Sequence, residues 1–226
     1  MDAPPHVRDA VAGMWRYRER VEHEAATLFA DLAAALDGAG FPALAARART
    51  AADDERRHAV RCRALVETCR PGLAPLAPRT LSVAPPGGEA DPARRALYAS
   101  VAMGCVTETL SCALLVAMRD VAELGPTRAA VDEIVKDEIE HSRIGWAHLA
   151  AAAARGDVSW LAPHVAAMRA AALAHDVAEL PATTPAAADL SGYGILPRAR
   201  VTIIVDACWR DVIVPGFAHH GVHTDA

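Results

Sequence analysis

Asp54-Glu55-Arg56-Arg57-His58 and Asp137-Glu138-Ile139-Glu140-His141 are two copies of one pattern, Asp-Glu-x-x-His. On an α-helix, residues three apart share a face, so each copy aims one carboxylate and one imidazole at a single point. Chance is a poor account of this. With 10 His in 226 residues, random pairing gives roughly half of one Glu-x-x-His. Both copies also carry an Asp directly before the Glu, which makes coincidence rarer still. The competing reading is two charged, solvated helix turns.

The flanking sequence puts both copies inside long helices. The spacing of Trp15, Phe29, Leu32 and Leu36 predicts α1 over about 7–36. The turn Asp37-Gly38-Ala39-Gly40 stops it. Helix α2 starts at Pro42, a favourable first-turn residue, and ends near Cys69, before Pro71. A proline-rich stretch over 71–92 reads as an extended crossover. Asp91 is the expected N-cap of α3, which runs to about Leu124. Gly125-Pro126 breaks the pattern, and α4 covers about 127–155. Helix α5 is expected over about 159–180, then a loop over 181–196, then α6 from Pro197 to about Val214, before Pro215. Val201, Ile203, Ile204, Val205, Trp209, Val212 and Ile213 make α6 so apolar that it must be covered by the bundle or a subunit contact. The expectation is an all-α four-helix bundle with a long crossover between the second and third helices and two extra C-terminal helices. It forms one domain over 1–226: bundle about 7–155, added helices about 159–214, polar tail 215–226.

Composition agrees. The chain is 53% hydrophobic and 4% aromatic, with 53 Ala, which favours closely packed helices. A net charge of -5 argues against a nucleic-acid partner. The apolar runs read as too short to span a membrane, and the start lacks a signal-peptide pattern. Five Cys without C-x-x-C make no disulfide framework. These features imply a soluble, reduced, cytoplasmic protein.

The partner helices add carboxylates at matching heights. Glu108 lies among Val101, Gly104, Cys105, Cys112 and Leu115, where an unpaired charge is costly. Glu108 and Glu138 are equidistant from the α3–α4 turn, and Glu22 and Glu55 from the α1–α2 turn. Each pair sits about 22 Å from its turn at the helical rise per residue. Glu22 shares a face with Phe29 and Leu36; Glu24 is the next choice.

The set Glu22, Glu55-x-x-His58, Glu108, Glu138-x-x-His141 resembles the di-iron carboxylate site of the ferritin-like superfamily, over about residues 7–155. The resemblance implies that Glu22 and His58 cap one iron, Glu108 and His141 the other, with Glu55 and Glu138 bridging. Oxygen ligands with two imidazoles suit two Fe ions, or Mn, better than Zn or Cu. Asp54 and Asp137 resemble the outer aspartates of di-iron oxygenases, each reaching the His of the opposite motif; the alternative for each is a solvated helix charge. Arg57 matches the Asp-Glu-x-Arg-His form of bacterial multicomponent monooxygenases, whereas Glu140 departs from it.

Within the superfamily, rubrerythrin-like peroxidases usually add a rubredoxin C-x-x-C, which is absent. Cys62 stands where ribonucleotide reductase small subunits place a radical Tyr. Ile134 stands where arylamine N-oxygenases place a third His. Storage subunits are generally shorter. The length suits small stand-alone oxygenases, which implies an enzyme that activates O2 to oxidise a small organic substrate, with Glu55 and Glu138 at its centre. An electron donor and a homodimer are the expected partners, with no nucleic acid and no membrane. The alternatives are an iron-sequestering ferroxidase or a Mn/Fe peroxide scavenger, and a helical bundle with a degenerate site. Cys62, Gly104, Cys105, Ser111 and Cys112 are candidate pocket-lining residues; close helix packing is the competing role for the small ones. His219, His220 and His223 read as solvated.

Overall fold

In the computed structural model, residues 3–174 and 190–224 are described, and all their regular structure is helical. Helix α1 spans Pro5–Gly38 and α2 spans Pro42–Cys69. Between them Gly40 adopts φ +80°, a left-handed conformation that glycine takes without steric cost. The turn closes through Phe41 N–H to the Leu36 carbonyl at 2.9 Å. Helix α3 follows the crossover and spans Pro92–Val121. Asp91 caps it as expected, accepting from the Ala93 amide at 2.9 Å. Helix α4 spans Gly125–Ala153. Gly125-Pro126 therefore opens this helix rather than preceding it, because a proline in the first turn forfeits no intrahelical bond.

These four helices form the bundle. Helix α1 packs along α2, α3 along α4, α2 against α4 and α1 against α3. Helix α3 is long and apolar enough to cross a membrane by length and composition, contrary to the expectation that every apolar run is too short. Its most apolar window is 61% buried inside the protein, so it serves as the bundle's core helix.

The middle of α3, Val101–Glu108, is a π-helix. Nothing in the hydrophobic spacing announces it. Its setting is tertiary: a Cβ on Gly104 would lie 2.5 Å from the Gly145 backbone nitrogen, so α3 and α4 meet backbone to backbone. In the widened turns the hydroxyls of Thr107 and Thr109 donate to carbonyls five residues back, Ala102 and Gly104, each at 3.2 Å. Wide turns of this kind cluster at functional sites.

Helix α5 begins as a 3-10 turn, Ser159–His164, and continues as an α-helix over Val165–Leu173. The rest of its expected span, and most of the loop after it, lies outside the described residues. Helix α6 runs from Arg198 to His219, with a π-helix over Trp209–Ile213. Pro215 does not end it. It follows the wide turn directly and falls in the first turn of the next α-helical segment, where a proline is tolerated. The segment after 214 is likewise not a plain polar tail, since Phe217 and Val222 are buried. Nor is α6 wholly covered: Val201, Val205, Cys208, Ile213 and Phe217 face the bundle, while Ile203 and Val212 are exposed.

The apolar interior is split in two. One part gathers Trp15, Cys62, Leu65, Leu110, Leu115 and Phe217. The other gathers Phe29, Leu32, Leu36, Ala48, Met103 and Ile144 near the α1–α2 turn. On α1 and α2 a layer of buried polar side chains lies between them in sequence, and α3 and α4 contribute buried polar side chains to it.

Candidate metal centre

That layer consists of Glu22 from α1, Glu55 and His58 from α2, Glu108 from α3, and Glu138 and His141 from α4, all buried. They form two overlapping groups. In one, ligand atoms of Glu22, Glu55, His58 and Glu138 all lie within 4.8 Å of one another. In the other, Glu55, Glu108, Glu138 and His141 do the same. Glu55 and Glu138 belong to both, as bridging carboxylates must.

The imidazoles are oriented alike. His58 turns Nδ1 inward, 3.0 Å from Glu55 Oε2 and 3.9 Å from Glu22 Oε2. Its Nε2 points outward, 3.1 Å from Asp137 Oδ2. His141 turns Nδ1 to Glu55 Oε1 at 3.0 Å and Glu138 Oε2 at 3.1 Å, and Nε2 to Asp54 Oδ2 at 3.2 Å. Each aspartate thus reaches the histidine of the other motif and favours the tautomer that leaves Nδ1 free for a metal. Arg57 ties the aspartates together, donating to Asp54 Oδ1 at 2.5 Å and Asp137 Oδ2 at 3.1 Å.

The electrostatics call for cations. Burial pushes the carboxyls of Glu22 and Glu108 well above the ordinary carboxylate range, and at Glu108 the charge of Glu138 adds to this. Burial also acts to raise Glu55, but hydrogen bonds from His141 and His58 outweigh it and hold this carboxyl well below that range. Against a burial effect that lowers them, Glu55 and its neighbours raise His58 to about 9, and Glu138 and Glu55 raise His141 to about 11. Four carboxylates, two inward imidazole nitrogens and burial fit a pair of divalent ions, whose charge can replace those protons.

Glu22 and Glu24 part company. Glu24 is engaged by Arg79 of the crossover, at 2.7 Å from its amide and 2.9 Å from Nη2. Glu22 stands in the cluster and accepts from Arg18 Nη2 at 3.1 Å. Sequence reading passed over Arg18, although the spacing Arg18-x-x-x-Glu22 is the usual one for a helical ion pair.

A hollow of about 30 Å³ opens beside the carboxylates, lined by Glu22, Glu55, Glu108 and Glu138 with Arg18 and Ser111. Thus Ser111 reaches the cluster. Cys62, Gly104, Cys105 and Cys112 are not among the residues lining it. Gly104 serves the α3–α4 contact instead, and burial pushes the thiols of Cys62 and Cys105 well above their usual range. Thr107 also lines the hollow; no motif marks it, and its neighbour Glu108 was the only cue.

A family model described as Rubrerythrin matches residues 19–147, more than half of the chain and the whole of the cluster. No curated protein and no solved structure matches the chain.

Proposed function

The chain belongs to the rubrerythrin family, within the ferritin-like di-iron carboxylate superfamily, and on that premise we propose that it is a di-iron oxidase or oxygenase acting on a small organic molecule. Proteins of this family are often oxidoreductases. The observation that carries the reading is the hollow at Glu22, Glu55, Glu108 and Glu138, walled otherwise by Val21, Ala25 and Leu114 with Arg18, Thr107 and Ser111. It gives O2 a place to approach beside all four carboxylates.

Glu22 with His58, and Glu108 with His141, would hold one iron each, and Glu55 and Glu138 would join them. When bound, the metal pair would relay to O2 the electrons that its reduction requires. The chain's own residues do the rest. Asp54 and Asp137 keep Nδ1 of each histidine directed inward, and Val21, Ala25 and Leu114 give the hollow its apolar wall. For insertion of one oxygen atom, the substrate provides two electrons and a donor provides two more with two protons, leaving one water. An electron-donor partner is therefore part of the proposal, as are a cytoplasmic location and a homodimer, with no nucleic-acid or membrane partner.

Family membership and the same ligand set also favour a second reading, a ferroxidase or peroxide scavenger, with Mn in place of Fe in one version. One experiment separates them. The protein is loaded anaerobically with Fe(II), metal is counted per chain, and O2 or peroxide is added while visible absorption and oxidant consumption are followed. Two irons per chain, a transient band with O2 and O2 uptake coupled to added reductant support the proposal. Many irons per chain, or rapid reaction with peroxide alone, overturn it.

A further inference from the structure

A second cavity, of about 160 Å³, lies outward of the metal-side hollow. The two share Ala25, Thr107 and Glu108, so Glu108 stands at the boundary between them. Leu28 of α1, Met103 of α3, Leu81 and Val83 of the crossover, and Met168 and Ala172 of α5 wall the outer one. Helix α5 lies beyond residues 19–147, so one wall is an addition to the matched family domain.

We propose that this cavity binds the organic substrate, and that the substrate is a small, neutral, apolar molecule no larger than about one substituted ring. The inference rests on the oxidase reading above and gives it a substrate class. Size comes from the volume: a dry apolar cavity of about 150 Å³ accepts benzene. Neutrality comes from the lining, where Glu108 is the only ionisable side chain among the described residues. Four carboxylates balance two divalent ions, so no surplus charge faces the cavity. A charged head group here loses its water without gaining a charged partner, since the lining otherwise offers only the hydroxyls of Thr107 and the exposed Ser82. Thr107 offers no spare donor, because its hydroxyl already bonds the Ala102 carbonyl. Met103 and Met168 supply flexible, polarisable walls that adapt to a flat ring.

The test is equilibrium binding of toluene, and of benzoate as its charged counterpart, followed by ligand-observed NMR. Both the Fe(II)-loaded anaerobic protein and the metal-free protein are used. Saturable toluene binding is expected in both, with no measurable binding of benzoate. Ala172→Phe places a ring in the cavity from α5, and Leu81→Trp fills it from the crossover, where no helix packing is disturbed. Each should weaken toluene binding at least tenfold at unchanged metal content. Leu81→Trp decides alone if Ala172→Phe loses helical content. A loss below tenfold in a folded variant, or benzoate binding as tightly as toluene, overturns the assignment. The two readings fail separately. If O2 uptake is absent but toluene binds and the variants weaken it, the oxidase reading falls and the cavity stands. If O2 uptake is present but the variants bind toluene as the parent does, the cavity assignment falls alone.

Discussion

His58 and His141 are each held between a bridging carboxylate and the aspartate of the opposite motif, so each aspartate governs the far metal position. Asp137→Asn should weaken the metal held by His58, and Asp54→Asn the one held by His141, by roughly 10–100-fold each. Stepwise Fe(II) titration of the two variants checks this, and equal loss at both positions in either variant would refute the crossed assignment. The same residues set a pH dependence. Protons sit on His58 up to about 9 and on His141 up to about 11. Both values are raised, so these groups stabilise the metal-free fold below about 6.5, and that stability is lost as pH rises through 9–11. Metal must displace the same protons, so affinity should climb with pH and loading should release protons. Titration in buffers of different ionisation enthalpy measures that release. His148 has the opposite sign. Burial, then Arg155, lowers it to about 4, and its ring packs tilted against Phe41 with centroids 4.4 Å apart. Between 6.5 and 4 the unfolded chain takes up a proton that the folded protein refuses. Stability should therefore fall over that window by about 2–3 kcal/mol, at roughly 1.4 kcal/mol per unit. Urea denaturation of the parent and His148→Phe at several pH values should show this contribution only in the parent.

At the scale of the helix, α3 carries what the pattern of apolar residues does not reveal. The Asp37–Gly40 turn, the Asp91 cap and both Asp-Glu-x-x-His copies were legible, because each rests on local spacing and on side chains with specific backbone or ligand roles. The facing of Glu108 was legible from its apolar neighbours, and that of Glu22 from Phe29 and Leu36. The π-helix at Val101–Glu108 was not, since it is tied to a contact made forty residues along the chain, at Gly145. The cavity walls at Leu81 and Ala172 were equally hidden, for they belong to segments that meet only in the fold. Pro215 misled because a proline is read as a stop, whereas a wide turn can precede it without loss. The Gly104–Gly145 contact yields a prediction. A Cβ at either glycine meets backbone at 2.5 Å, of Gly145 or of Ser100, and backbone cannot swing aside as a side-chain end does. Gly104→Ala and Gly145→Ala should each cost about 1–3 kcal/mol in urea denaturation. Because the separation moves Glu108 away from Glu138, each should also weaken metal binding at the Glu108 position more than at the Glu22 position. Wild-type metal affinity in both variants would show that the close approach serves packing alone.

Across the whole molecule, the buried polar layer interrupts an otherwise continuous core. Six ionisable side chains from four helices occupy space that apolar residues fill above and below, and their burial is unfavourable unless their charges are matched. Protons on the imidazoles and on Glu22 and Glu108 lower that cost in one way. Two divalent ions do so more effectively, and they also bind all four helices to a common centre. Metal should therefore raise global stability. At free metal a hundredfold above Kd, each site contributes about 2.7 kcal/mol, and a domain of this size gains roughly 2–4 °C in melting temperature per kcal/mol. Glu138 belongs to both ligand groups, whereas Glu108 belongs to one. Glu138→Ala should abolish the whole increment. Glu108→Ala should keep the part due to Glu22, Glu55, His58 and Glu138. Thermal unfolding with anaerobic Fe(II), or with Mn(II) in air, gives the comparison. A full metal-dependent increment in Glu138→Ala would mean that the stabilising ions bind elsewhere, and that the layer is a network of protonated side chains rather than a metal centre.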